Sequence, residues 1–290
     1  MPFTLSHAAA VLPGVRGDGG GRGRLVPAVL VAGSFAPDMT YYAASALPDA
    51  MEFGDITHSF PGVFTVDVLI TWALVGLWLM LREPLVALLP HSWRGRVGAL
   101  VRCGVPRGRP TPALALWWYV SAALGALTHV VWDAFTHLDR WGMRLFPVLG
   151  QEFAGSPLYW YLQYGGSAVA ALVIAVFVAR ALRRMPAEVP AGLPALSARD
   201  RWLACAVIAG CMTVAAVQRT VRWWEYWGSV AKPWEIIPTL CFGAGAGLVL
   251  GLLLYGVGVR VWRPVPVPPA VPAGSGPASS RTEPGRPARR

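Results

Sequence analysis

Residues 113–136 read ALALWWYVSAALGALTHVVWDAFT, without a Lys, Arg or Glu and with one carboxylate, Asp133, near the far end. A helix needs about 20 predominantly apolar residues to cross the hydrocarbon core of a bilayer, and this stretch has them. Four more of the same kind follow the same rule, at roughly 62–81, 157–179, 202–218 and 236–259. A sixth, RLVPAVLVAGSFAPD at 24–38, holds only about 12 apolar residues, or about 18 Å of helix at 1.5 Å per residue. It is expected as a short or partly inserted helix. The pattern predicts an all-α fold: a polytopic transmembrane helix bundle of five or six membrane helices plus a short N-terminal helix, filling residues 1–260.

Composition agrees. Of 290 residues 55% are hydrophobic and 14% charged, against about 25% charged in soluble domains. The formal charge of +10 resides mainly in arginines placed between the apolar stretches, which argues for membrane topology and against nucleic acid as a partner. The four cysteines, Cys103, Cys205, Cys211 and Cys241, form no CxxC pair, so neither a disulfide framework nor a zinc knuckle follows. The opening MPFTLSHAAAVLPGVRG has no basic residue ahead of its short apolar part and is expected to be retained. The segment 261–290, rich in Pro, Gly, Ser and Arg, is expected to be a disordered cytoplasmic tail.

Lys and Arg in short loops stay cytoplasmic. Loop 82–111 carries Arg82, Arg94, Arg96, Arg102, Arg107 and Arg109, and loop 180–201 carries Arg180, Arg183, Arg184, Arg199 and Arg201. The alternating connection 37–61 has Asp38, Asp49, Glu52 and Asp55 with no Lys or Arg, and 137–156 is nearly balanced. The reading is a multi-pass protein of the cell membrane, surrounded by membrane lipids, with 37–61 and 137–156 outside and the C-terminus cytoplasmic.

Ionisable residues inside a membrane are expensive and mark functional sites. In THVVWDAFTH, 128–137, His129, Asp133 and His137 fall at i, i+4 and i+8 and share one broad helix face. An imidazole and a carboxylate one turn apart can hold the same cation. The α-carbons of His129 and His137 stand about 12 Å apart along the axis, too far for one ion, so two metals bridged by Asp133 or one metal with an outer histidine are the workable solutions. Asp38 follows Pro37 at the end of an apolar stretch, and His58 precedes a helix start marked by Ser59 and Pro61. Both lie on the side where the helix of Asp133 emerges. His7 reaches the same place if residues 3–13 form a helix inserted partway; otherwise it is an interfacial residue.

The segments SHAAAVLP (6–13), APD (36–38), THS (57–59) and HVVWDAFTH (129–137) resemble a family of uncharacterised bacterial membrane proteins, common in actinomycetes, that open with a PFTLSHAA-like segment. More loosely they resemble the membrane-bound metal-dependent hydrolases, in which an early histidine, a PDxD, an HRGxTHS and an HxxxDxxT segment recur in this order over residues 1 to about 140. That resemblance implies metal-ligand positions at His7, Asp38, His58, His129 and Asp133, with His137 in the closer family's extended motif. Two departures stand out: Thr40 replaces the second aspartate of PDxD, and Gly54, Asp55 and Ile56 stand where HRG would be.

The function expected is a membrane-embedded metal-dependent hydrolase acting on a lipid or lipid-linked phosphoester, with zinc as the divalent metal and manganese or iron as alternatives. Arg219 and Arg222, at the outer end of their helix, are expected to bind the phosphate, or else to be interfacial anchors. The competing readings are a transporter or ion-binding protein using the same His and Asp side chains, and a non-catalytic scaffold.

Overall fold

The computed structural model describes residues 3–104, 111–230 and 236–263; Arg107, Arg109 and the expected tail from 264 lie outside the described residues. A 3-10 turn, Thr4–His7, runs into α1 (Ala8–Val11) and a second such turn, Leu12–Gly14. Then come α2 (Pro27–Gly33), a 3-10 turn at Ala36–Asp38, α3 (Met39–Ala43), α4 (Gly54–Thr57) and α5 (Phe60–Phe64). The longer elements are α6 (Val66–Leu88), α7 (His91–Cys103) and α8 (Pro112–Asp133). After the short α9 (Trp141–Leu145), a two-residue ribbon of β1 (Glu152–Phe153) and β2 (Ser156–Pro157) leads to α10 (Leu158–Arg184), α11 (Ala198–Trp227) and α12 (Ile236–Trp262).

Five of these, α6, α8, α10, α11 and α12, are long and apolar enough to cross a membrane. With 23 residues α6 extends about 34 Å, and the bundle is a polytopic membrane fold. The stretch at 24–38 supplies no sixth span: α2 has seven residues, about 10 Å of helix. Its Val29 and Ala32 are buried with Val68 and Val75 of α6 and Ala122 and Ala123 of α8. The span expected from 62 begins at Val66, because the chain breaks at Thr65 and leaves 60–64 as the separate α5.

A glycine pair permits the tight crossing of α2 over α8. A Cβ on Gly33 would stand 2.6 Å from the Ala122 carbonyl, and one on Gly125 would stand 2.4 Å from the Leu30 carbonyl. The two backbones therefore touch directly, which sets Ser34 beside His129. At the other side of the bundle, Gly243, Gly247 and Gly251 give α12 a flat stripe on which the backbone of α11 lies, against Ala215, Cys211 and Ile208. Small residues four apart are the usual means by which membrane helices approach. This hairpin docks on α6 at Pro84. Proline has no N–H for the carbonyl four residues back, and Arg260 donates to that Met80 carbonyl while the Tyr255 hydroxyl donates to the Pro84 carbonyl at 2.7 Å.

The two ends of the bundle differ in chemistry. The starts of α6, α10 and α12 and the end of α8 converge on the histidines and aspartates. The opposite end carries Arg94, which donates to the Ala87 and Leu89 carbonyls, and Arg102, paired bidentately with Glu83.

Candidate metal centre

Three short segments bring their side chains to the end of α8. His129 and Asp133 come from α8 itself, Asp38 from the 3-10 turn before α3, His58 from the end of α4, and His7 from the N-terminal turn; all five are buried. The α4 end is locked to the Asp38 turn by Thr57, whose hydroxyl donates to the Pro37 carbonyl at 2.8 Å. Directly after His58, Ser59 caps α5 by accepting from the Gly62 N–H at 3.1 Å, as the SFP signature predicts. One Asp38 oxygen, Oδ2, accepts from the Thr4 hydroxyl, which in turn accepts from Tyr42 at 3.0 Å.

The histidine tautomers follow from their outer partners. The Nδ1 of His129 lies 2.8 Å from the Ser34 carbonyl and that of His58 lies 2.9 Å from the Gly54 carbonyl. A carbonyl only accepts, so each Nδ1 carries the proton and each Nε2 presents a lone pair. Carbonyl-held imidazoles of this kind are the standard support of a metal-binding histidine.

Both lone pairs face the same two carboxylates. His129 Nε2 stands 3.5 Å from Asp38 Oδ1 and 3.4 Å from Asp133 Oδ2; His58 Nε2 stands 3.6 Å from each of those oxygens. These separations exceed N–H···O hydrogen bonds, which run to about 3.2 Å. They match something else: four ligand atoms about 2.1 Å from a common centre in a tetrahedron stand about 3.4 Å apart. One ligand atom from each of Asp38, His58, His129 and Asp133 lies within 4.8 Å of every other. The buried Nε2 of His129 has no hydrogen-bond partner among the described residues.

Electrostatics outside the spans agrees with a site prepared for a cation. Burial works against the charged Asp38 carboxylate, yet His129 and then His58 hold it well below the usual carboxylate range. Burial likewise opposes a charged His58, and Asp133 and Asp38 outweigh it and raise the imidazole. Burial, with His129 alongside, holds His7 well below its ordinary value and so neutral. The His7 ring stacks on that of His129 at 3.6 Å between centroids, with Nε2 3.4 Å from Asp133 Oδ1. Neither His7 nitrogen has a hydrogen-bond partner among the described residues.

His137 stands apart from the four. Its Nδ1 lies 3.6 Å from Asp133 Oδ2 and its side chain is 33% exposed. The 12 Å separation from His129 is resolved here by placing His137 at the rim. Arg219 and Arg222 do not face the cluster. Arg219 donates to the Tyr41 carbonyl at 2.7 Å and to the Ser45 hydroxyl at 2.6 Å, and Arg222 donates to the Ser45 carbonyl. They fasten the chain just after α3, because that end exposes carbonyls with no helical donor.

A pocket of about 320 Å³ opens over the cluster, with Asp38, His58, Asp133 and His137 in its floor and Tyr41, Arg140, Gln163 and Phe242 in its walls. Sequence reasoning passed over Tyr41, Arg140 and Gln163, since each is unremarkable in its own segment and only packing brings them together. It also passed over Asp67, an acid in an apolar span that the intramembrane-charge rule could have flagged; Asp67 is fully buried at the start of α6. A second cleft, about 640 Å³, lies between α11 and α12 at the arginine-rich end and contains none of the cluster.

The family model of a domain of unknown function, DUF4184, matches residues 1–257. The chain belongs to the DUF4184 family. No curated protein and no solved structure matches it. The DUF4184 match covers four spans whole, most of the fifth and every residue of the cluster, so the family extends well past the first 140 residues in which the motifs are legible.

Proposed function

We propose that this chain is a membrane-embedded metal-dependent hydrolase that cleaves a phosphoester of a lipid or lipid-linked substrate. The observation that carries the reading is the group of four buried ligand atoms whose four His–Asp separations, 3.4 to 3.6 Å, match edges of a coordination tetrahedron. Asp38, His58, His129 and Asp133 would hold the ion, and His7 adds a neutral imidazole against Asp133. Two imidazoles and two carboxylates suit zinc, and also manganese or iron. A divalent cation bound there supplies Lewis acidity towards an ester and lowers the pKa of water. His137, lining the pocket outside the four, is the side chain placed to take up and return a proton. The likeness of the APD, THS and HxxxD segments to membrane-bound metal-dependent hydrolases supports the same chemistry.

An ion pathway fits less well. Buried ionisable side chains among the described residues are His7, Asp38, His58, Asp67, His129 and Asp133. They gather at one end of the bundle, whereas a pathway needs such groups along the membrane's depth. The arginine-rich opposite end favours a cytoplasmic position for it and an outward-facing pocket in the cell membrane.

The test is metal analysis of the full chain purified in detergent, alongside His129→Ala and Asp133→Ala. The expected result is close to one equivalent of divalent metal in the parent and its loss in both variants at unchanged elution volume. Equal metal in all three proteins would refute the reading. Phosphate release from a panel of lipid phosphoesters then separates an enzyme from a carrier.

A further inference from the structure

Among the described residues of the pocket wall, Arg140 is the one with a fixed positive charge. Its position is set by a close approach of backbones. A Cβ on the neighbouring Gly142 would stand 2.2 Å from the Ala134 carbonyl, so α9 folds back flat on the end of α8 and carries Arg140 to the rim. The Arg140 side chain is 20% exposed. Its guanidinium makes two long contacts, 3.8 Å to Asp55 and 3.9 Å to Asp139, and no hydrogen bond among the described residues. Those carboxylates are 91% and 76% exposed, and ion pairs with solvated partners are weak. The five N–H donors of Arg140 are thus held beside the cluster but are not consumed by it.

The rest of the pocket complements an anion carried on an apolar molecule. Tyr41 and Gln163 add polar side chains to the wall, and Met51, Pro238 and Phe242 make it apolar. A planar guanidinium fork matches two oxygens of a phosphoryl group. A negative substrate also needs such a group, because the floor itself contains two carboxylates.

We infer that Arg140 is the phosphoryl-binding residue of this pocket, gripping the charged head of a phosphoester while the apolar wall accepts the adjoining part of the molecule. The inference deepens the hydrolase reading and rests on it for the reaction, but not for the binding. It also assigns to Arg140 the task expected from sequence of Arg219 and Arg222.

Inorganic phosphate is the probe, titrated calorimetrically into the full chain in detergent, as purified with its metal and after chelation. The parent is compared with Arg140→Gln, Arg140→Lys and, as a control on the same short helix, Arg144→Gln, with metal content measured for each. Loss of the fork should weaken phosphate binding about 10- to 100-fold in Arg140→Gln. Arg140→Lys should lose less, and Arg144→Gln nothing, all at unchanged metal content. Phosphate binding by Arg140→Gln equal to that of the parent, or none by the parent, overturns the inference and leaves the metal reading standing. So does loss of metal in Arg140→Gln, which would mean that the residue supports the cluster instead. A parent that holds no metal but still loses phosphate affinity in Arg140→Gln leaves the anion site standing and removes the hydrolase reading.

Discussion

At His129 a single carbonyl decides which nitrogen is available. Ser34 fixes the proton on Nδ1, and the same device at Gly54 fixes His58, so the two rings turn their Nε2 atoms to the same pair of carboxylates. His137 has a different place, and the consequence is separable by experiment. His137→Ala should keep the full metal content and lose turnover by about 10²- to 10⁴-fold, the usual contribution of a general acid or base; metal loss in that variant would make His137 a ligand. Arg219→Ala should leave metal content unchanged and lower stability in detergent by about 1–3 kcal/mol, as losing charge-assisted hydrogen bonds to the half-buried Tyr41 carbonyl and to the Ser45 hydroxyl would. At this scale the sequence was readable where residues share a helix or a short motif. His129, Asp133 and His137 are legible from their spacing alone. Asp38 and His58 are legible as helix-end residues, and their meeting with His129 needed the fold. Arg140 was not legible, because its relevance depends on Gly142 turning α9 back onto α8.

Elements in this bundle are joined by local repairs and close approaches rather than by a continuous core. Pro84 breaks one hydrogen bond within α6, and Arg260, 176 positions later, supplies a donor to the stranded Met80 carbonyl. Arg260→Leu should therefore weaken the docking of the α11–α12 hairpin by about 0.5–1.5 kcal/mol, the net worth of one hydrogen bond at a partly solvated acceptor. A fall in thermal midpoint that Pro84→Ala restores would check the pairing. The Gly33–Gly125 crossing is stricter. Gly125→Leu puts a side chain where the Leu30 carbonyl lies, so α2 must separate from α8 and take Ser34 with it. The expected outcome is loss of metal together with loss of the folded elution peak. Apolar length marked all five spans, while 24–38 was ambiguous because apolar composition cannot distinguish a short buried helix from a partly inserted one. The glycine stripe on α12 was present in GAGAGLVLG at 243–251 as a period of four, and is the signal that would have predicted its pairing with α11.

For the molecule as a whole, the arginine-rich end and the histidine–aspartate end give the bundle a direction. Cys103 is exposed at the end of α7, on the arginine side. A membrane-impermeant maleimide should label it only after cells are permeabilised, whereas Asp55→Cys, at a position 91% exposed beside the pocket, should be labelled in intact cells. The reverse pattern would invert the topology. The stacking of His7 on His129 also sets a timetable for synthesis. These two rings are separated by 122 positions of chain, which a ribosome takes roughly 6 to 25 s to add. For the later part of that interval the N-terminal turn, α1 and α2 have all been made while the helix they close upon is still incomplete. None of them is long enough to anchor itself across a bilayer. The segments that carry His7, Asp38 and His58 can therefore take up their contacts with His129 and Asp133 only once α8 is in place, so that residues made before this helix are positioned after it.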